Sequence, residues 1–280
     1  MKIKSIAIIL ACSLVFSLAG CSASSETSES ISSENENTAK SESTATTIEM
    51  LDESDMFTDR DLEIGYDEIE CTNIQLENQP ITINQEGVYR LSGTLTDGQI
   101  VVDAKDTDKI QLILDGVNIQ CNTSAAIYVK EADKVFVTLA PDSQNTLSVS
   151  GDYTAKDDNN VDAVIFSKSD ITLNGEGSLT INTEYGNGVT SKDDLVITSG
   201  NHTISSAEHG LEANDSVRIA DGTLNITSGK DGIHAENAED LSLGFVFIAN
   251  GDFMVNSQTD GISASGILQI VDGNFDITNG

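Results

Sequence analysis

The sequence predicts an all-β fold: a parallel β-helix, a solenoid with coils of about 22–24 residues. Three observations predict it. From residue 71 onward, short runs alternate apolar and polar residues, as in "DITLNGEGSLTIN" (170–182) and "SVRIADGTLNITS" (216–228), with Gly, Asn and Asp between them. Period-two alternation bounded by such residues marks short strands. The second observation is internal similarity. "GNGVTSKDDLVITSG" from 186, "HGLEANDSVRIADG" from 209, "DGIHAEN" from 231 and "DGISASG" from 260 align, with Gly188, Gly210 and Gly232 each 22 residues apart and Gly261 after 29. The third is physical: a unit this short cannot bury its own apolar face, so units must stack. A β-sandwich would need two-residue hairpin turns, and the fixed period argues against it.

The elements follow in chain order. Residues 1–20 carry two lysines, an apolar run from Ile6 to Leu18 and a small-residue end, the three parts of a secretory signal peptide. The tetrapeptide Leu18-Ala19-Gly20-Cys21 resembles the bacterial lipobox, so Cys21 is the expected lipidation site. The run is too short for a good membrane span. These features predict a lipoprotein held on the extracellular face of the cell membrane, and exclude a cytoplasmic role. Residues 21–62 read as a flexible acidic spacer rich in Ser, Thr and Glu, unable to bury enough surface to offset its ordering entropy.

Residues 63–280 form the expected β-helix domain. Inward ladders such as Val189, Leu211, Ile233 and Ile262 would be spaced by the inter-strand distance, about 4.8 Å. The chain stops at Gly280 midway through a unit, which reads as a truncated end. Removing residues 1–20 takes away Lys2 and Lys4 and moves the formal charge from −32 to −34. Such a surface repels nucleic acid and anionic lipid and favours cations. Of four cysteines, Cys71 and Cys121 remain in the domain; the cell exterior permits a disulfide, and sequence does not decide whether they pair. The absence of C-x-x-C removes zinc sites of that kind.

The stretch "ITINQEGVYRLSGTLTDGQIVVDA" (81–104), followed by "IQLILDGVNI" (110–119), resembles the opening of a bacterial family of secreted or lipid-anchored carbohydrate-binding β-helix proteins, common in anaerobic Gram-positive bacteria. The "DGI" units resemble that family's repeat. The resemblance implies a right-handed winding, bound calcium, affinity for plant cell-wall polysaccharides including acidic sugars, and kinship in shape to polysaccharide lyases.

Strand alternation then places side chains. With Ile233 and Ala235 inward, His234 and Glu236 face outward, in columns with Glu212 and Asn214, Thr190 and Lys192, Ser263 and Ser265. Asn187, His209, Asp231 and Asp260 occupy the turn before the strand. Calcium takes six to eight oxygen ligands. The expected sites are Asp231 with Glu212 and Asp260 across coils, and the "KDDNNVD" loop with Asp157, Asp158 and Asp162. Against this, Asp and Asn favour turns simply by bonding their own backbone. For carbohydrate, Tyr128, Lys168, Lys192 and His234 are the candidate contacts, with Lys130, Lys168 and Lys192 aligned as a column. Phe166, aligned with Tyr128, is expected in the core. His202, His209 and His234 are expected as solvated surface residues, although zinc or a His-based catalyst would also suit them, and His202 is read as facing out. No catalytic residue is assigned: there is no recognisable serine triad and no phosphate loop before a helix. The reading is a polysaccharide-binding surface lipoprotein. The alternatives are a pectic polysaccharide lyase, which needs a Lys or Arg base and calcium, and a purely structural stalk or adhesin. The scarcity of arginine (Arg60, Arg90, Arg218) disfavours the lyase.

Overall fold

A computed structural model describes residues 50–77, 79–154, 159–240 and 242–280. The signal peptide, Cys21 and most of the spacer lie outside the described residues, as do Asp157 and Asp158. Among the described residues the fold is all-β, and no helix is long and apolar enough to cross a membrane. Cys71 and Cys121 are free thiols, the latter buried.

Strands pair in parallel in sheets of 15 and 8. Each repeat gives one strand to each of three columns. The repeat from Asn187, for example, contributes Asn187–Ser191, Asp194–Ile197 and Asn201–Ser206. The first column is the smaller sheet. The other two columns form the larger one, joined through the long strand Lys109–Cys121, which pairs with Lys134–Leu139 along one half and Gln144–Val149 along the other. The ladder read from the sequence is present: Val189 pairs with Leu211, Leu211 with Ile233, and Ile233 with Ile262. These residues join one continuous apolar core, and burying each such aliphatic side chain contributes about 1.5–3 kcal/mol.

A second glycine-lined ladder fixes how closely the repeats approach. A Cβ placed on Gly232 would stand 2.6 Å from the Gly261 carbonyl oxygen and 2.3 Å from Val255 Cγ1. Gly210 meets the Gly232 carbonyl in the same way, at 2.6 Å. This position therefore excludes a side chain because backbone meets backbone.

One expectation is corrected. Residues 51–62 are not free spacer; they lie as a strap across the second column. The outward residues of that column run in register Gln111, Phe136, Thr172, Val196, Arg218, Phe247, Gln269. The strap follows them in reverse. The amide of Leu51 donates to Gln269 Oε1 at 2.8 Å, and Gln269 Nε2 donates back to the Leu51 carbonyl at 3.2 Å. Phe57 packs on Phe247 with centroids 5.9 Å apart, and Arg218 donates to the Met56 carbonyl. The Thr172 hydroxyl donates to Asp61 at 2.6 Å, while Arg60 reaches Gln111 and lies 4.2 Å over the Phe136 ring. A short helix, Asp59–Leu62, capped by Thr58 and Asp61, makes the turn. Polar composition hid this segment, because its anchoring depends on Met56, Phe57 and a buried ion pair, not on a long apolar run.

Candidate functional site

The outward side of the smaller sheet presents polar columns built by the repeat. Thr190 pairs with Glu212, Glu212 with His234, and His234 with Ser263, as the alternation requires. Lys168 and Lys192 follow their strands, each amide donating to a carbonyl of the preceding repeat, Val129 and Ser167 respectively. Lys168 is exposed. Lys192 is partly buried, with its ammonium 5.6 Å from the Phe166 ring centroid. Lys130 lies 3.1 Å from Asp103.

Asp162 sits in this strip with one carboxylate oxygen buried and without a hydrogen-bond partner. Burial pushes its carboxyl up to about 6; the Lys192 ammonium opposes this, and the charges of Glu212 and Glu208 add to it. Glu212 accepts from the Thr190 hydroxyl at 3.0 Å and from the Asn187 side-chain amide.

Tyr128 is corrected as a sugar platform. It is 2% exposed, receives a hydrogen bond from Asn159 Nδ2 at 2.8 Å, and packs edge-on against Phe166 at 5.9 Å. With Ala125, Val161 and Ala163 the two rings form a small apolar cluster separate from the main core. The aromatic column is thus outward by alternation but packed under Val161 and Tyr153. His202 is also corrected: it is 1% exposed, registers between Leu179 and Leu224, and lies 3.0 Å from the Ser199 carbonyl. Its parity in "NHTIS" matches that of Ile204, so the strand turns it inward.

Asp231, Glu212 and Asp260 do not gather as a set of carboxylate ligands. Glu212 is taken by Thr190 and Asn187. Asp260 gives its backbone N–H to Asp231 Oδ1 at 2.9 Å, and its side chain is exposed. The same bond occurs two repeats earlier, where the His209 N–H donates to Asn187 Oδ1 at 2.8 Å. An Asp or Asn at this turn therefore satisfies the amide of the next repeat, the backbone role such residues commonly fill. The other oxygen of Asp231 turns to histidine: Oδ2 lies 2.8 Å from His234 Nδ1 and 3.6 Å from His209 Nδ1. The two rings stack with centroids 4.3 Å apart and planes 20° from parallel. Neither histidine is a freely solvated surface residue. Burial works to raise the Asp231 carboxyl, but hydrogen bonds from Thr259 and Asp260 and the two imidazoles hold it below the ordinary value. Burial, reinforced by His234, lowers His209.

A further acidic group went unread in the sequence. Asp193 and Asp215 stack at the corner after the strip, with Asp170 nearby; burial and these neighbours push the Asp193 carboxyl up to about 6. The signal was present as "SKSD", "SKDD" and "ANDS" recurring in successive repeats.

A family model described as carbohydrate-binding domain-containing protein matches residues 77–280. A carbohydrate-binding domain-containing protein of Acetivibrio thermocellus is 39% identical over 145 residues, 50% of this chain and 51% of that protein. The chain spans about half the length of that curated relative. Among solved structures, the gadolinium derivative of the polysaccharide lyase-like protein from C. thermocellum aligns with a TM-score of 0.67 and 32% identity, covering 73% of this chain and 99% of that one.

Proposed function

Because the chain belongs to the family of carbohydrate-binding domain-containing proteins, we propose that it binds polysaccharide along the outward strip of its smaller sheet, favouring acidic plant cell-wall glycans. In this reading the three columns wind as a right-handed parallel β-helix, tethered by lipid at Cys21 to the outer face of the cell membrane. The observation that carries it is the Lys192 ammonium acting on the Asp162 carboxylate, one oxygen of which is buried without a hydrogen-bond partner, with the exposed Lys168 beside Lys192 in the column. Two ammonium groups attract a polyuronate, and a calcium ion on Asp162 would bridge protein and sugar carboxylates with oxygen ligands of the kind it prefers. Asp157 and Asp158, the other candidates in that loop, lie outside the described residues. With Tyr128 and Phe166 covered, charge and not aromatic stacking supports the preference for acidic sugars.

The test is affinity electrophoresis of the chain in gels cast with polygalacturonate or a neutral glucan, with calcium or a chelator. Retardation by polygalacturonate that needs calcium and weakens in Lys168→Ala supports the reading; unchanged migration in every gel overturns it. A second reading, a lyase, is favoured by the Lys192 amine lying near a raised carboxyl on a fold like that of a polysaccharide lyase-like protein. Ultraviolet absorbance from unsaturated product in the same mixture distinguishes it.

A further inference from the structure

We infer that His209, Asp231 and His234 form a binding site for one divalent transition-metal ion of the zinc class, held between two successive repeats. The three side chains each offer one donor atom, and these atoms all lie within 4.8 Å of one another. Zinc bonds of about 2.0–2.2 Å in tetrahedral geometry place neighbouring donors roughly 3.3–3.6 Å apart. The separations from Asp231 Oδ2, 2.8 Å to His234 and 3.6 Å to His209, lie around that value.

The nitrogens show the same need. Nδ1 of His209 and Nδ1 of His234 are both buried and lack a hydrogen-bond partner, although the Asp231 carboxylate is close to each. The short approach at His234 is therefore not aligned as a hydrogen bond. Two buried imidazole lone pairs converging on one carboxylate oxygen are what a metal ion would satisfy.

The surroundings orient the donors. Asp231 Oδ1 is fixed by the Asp260 amide and the Thr259 hydroxyl, which leaves Oδ2 for the imidazoles. On the far side of the His234 ring, Nε2 lies 3.4 Å from Glu236 Oε2. A carboxylate on the nitrogen opposite the metal is the usual support of a metal-bound histidine. The stack supplies the spacing: His209 precedes Gly210, whose amide donates to the Asp231 carbonyl, so the ligands come from neighbouring repeats. Imidazole donors select zinc, nickel or copper over calcium, a hard ion that takes oxygen. Three protein ligands leave a fourth position for water or a bound group. This inference is independent of the glycan reading, which uses Lys168, Lys192 and Asp162.

The test uses the chain purified without a polyhistidine tag, in excess calcium to occupy surface carboxylates. Zinc is titrated by calorimetry and cobalt by visible absorption, since tetrahedral cobalt with nitrogen ligands absorbs strongly. The expected result is one zinc per chain and a cobalt band. Both weaken at least about 10-fold in His209→Ala and in His234→Ala, each of which keeps the thermal transition of the parent in chelator. Asp231→Asn keeps an oxygen for the Asp260 amide, as Asn187 does for His209, but still offers a neutral oxygen donor, so the histidine variants carry the test. No stoichiometric zinc or cobalt on the parent, or binding that both histidine variants retain unchanged, overturns the inference. Should either variant fail to fold, the cobalt spectrum of the parent decides: a spectrum without nitrogen-ligand character overturns it.

Discussion

The ammonium of Lys134 lies 2.8 Å from Oδ1 of Asp61, and both side chains are buried. Lys134 opens a strand of the second column, whereas Asp61 belongs to the strap, so this pair joins the segment before the repeats to the repeats themselves. Asp61 also accepts from the Thr172 and Thr58 hydroxyls. Burial works to raise its carboxyl, yet these bonds and Lys134 bring it down to about 2, below the ordinary 3.8. Its stabilisation is therefore complete above the unfolded value and fades as pH falls toward 2. Asp61→Asn should cost roughly 2–4 kcal/mol at pH 7, because it also leaves Lys134 buried and unpaired. Urea unfolding at pH 7 and at pH 2.5 checks this: the difference from the parent should shrink at the lower pH.

Gly232→Ala should destabilise by at least about 2 kcal/mol, since the added methyl meets a carbonyl of the next repeat and backbone cannot yield as a side chain does. Gly65→Ala has open space at the same distance and should stay within about 0.5 kcal/mol of the parent. Equal midpoints in thermal unfolding for the two variants would count against a close-packed glycine ladder.

Asp162→Asn should stabilise the calcium-free protein at pH 7.5. The folded carboxyl titrates at about 6, above the ordinary 3.8, so the parent bears the charge penalty above pH 6 and loses it below the unfolded value. Allowing for solvent screening of a partly exposed group, the gain is about 1 kcal/mol, vanishing near pH 4. Chemical denaturation in chelator across this range measures it. Added calcium should stabilise the parent more than the variant.

Lys168→Ala and Lys192→Ala should each weaken polygalacturonate binding roughly 2–5-fold at low salt, about what one ion pair near the surface contributes. Both losses should diminish as ionic strength rises. Affinity electrophoresis with added sodium chloride reads this directly, and a salt-independent loss would point to disrupted packing around Phe166 instead.

Much of the repeat was legible because alternation and period leave little freedom once one face is buried. The pairing of Val189 with Leu211, of Leu211 with Ile233, and of Glu212 with His234 follows from counting by 22 residues. What escaped is what the repeat does not dictate. Tyr128 sits at an outward position, yet Val161 and Asn159 from outside its strand pack over it. The strap was hidden for the same reason: outward Phe136 and Phe247 called for a cover, but nothing local named the residues that supply it. His209 lies in the turn before one strand and His234 within the strand of the next repeat, so their stacking emerges only when two repeats lie together.

The strap also changes how the stack should fail. In an array where each repeat touches only its neighbours, repeats at an end open one at a time, because each loss concerns a single interface. Residues 51–62 engage Gln269, Phe247, Arg218, Thr172, Lys134 and Gln111 along one line. Opening one repeat beneath it strains the attachment of the others. A ladder that would fray rung by rung is thereby bolted to a common rail, and its rungs give way together, in one cooperative transition.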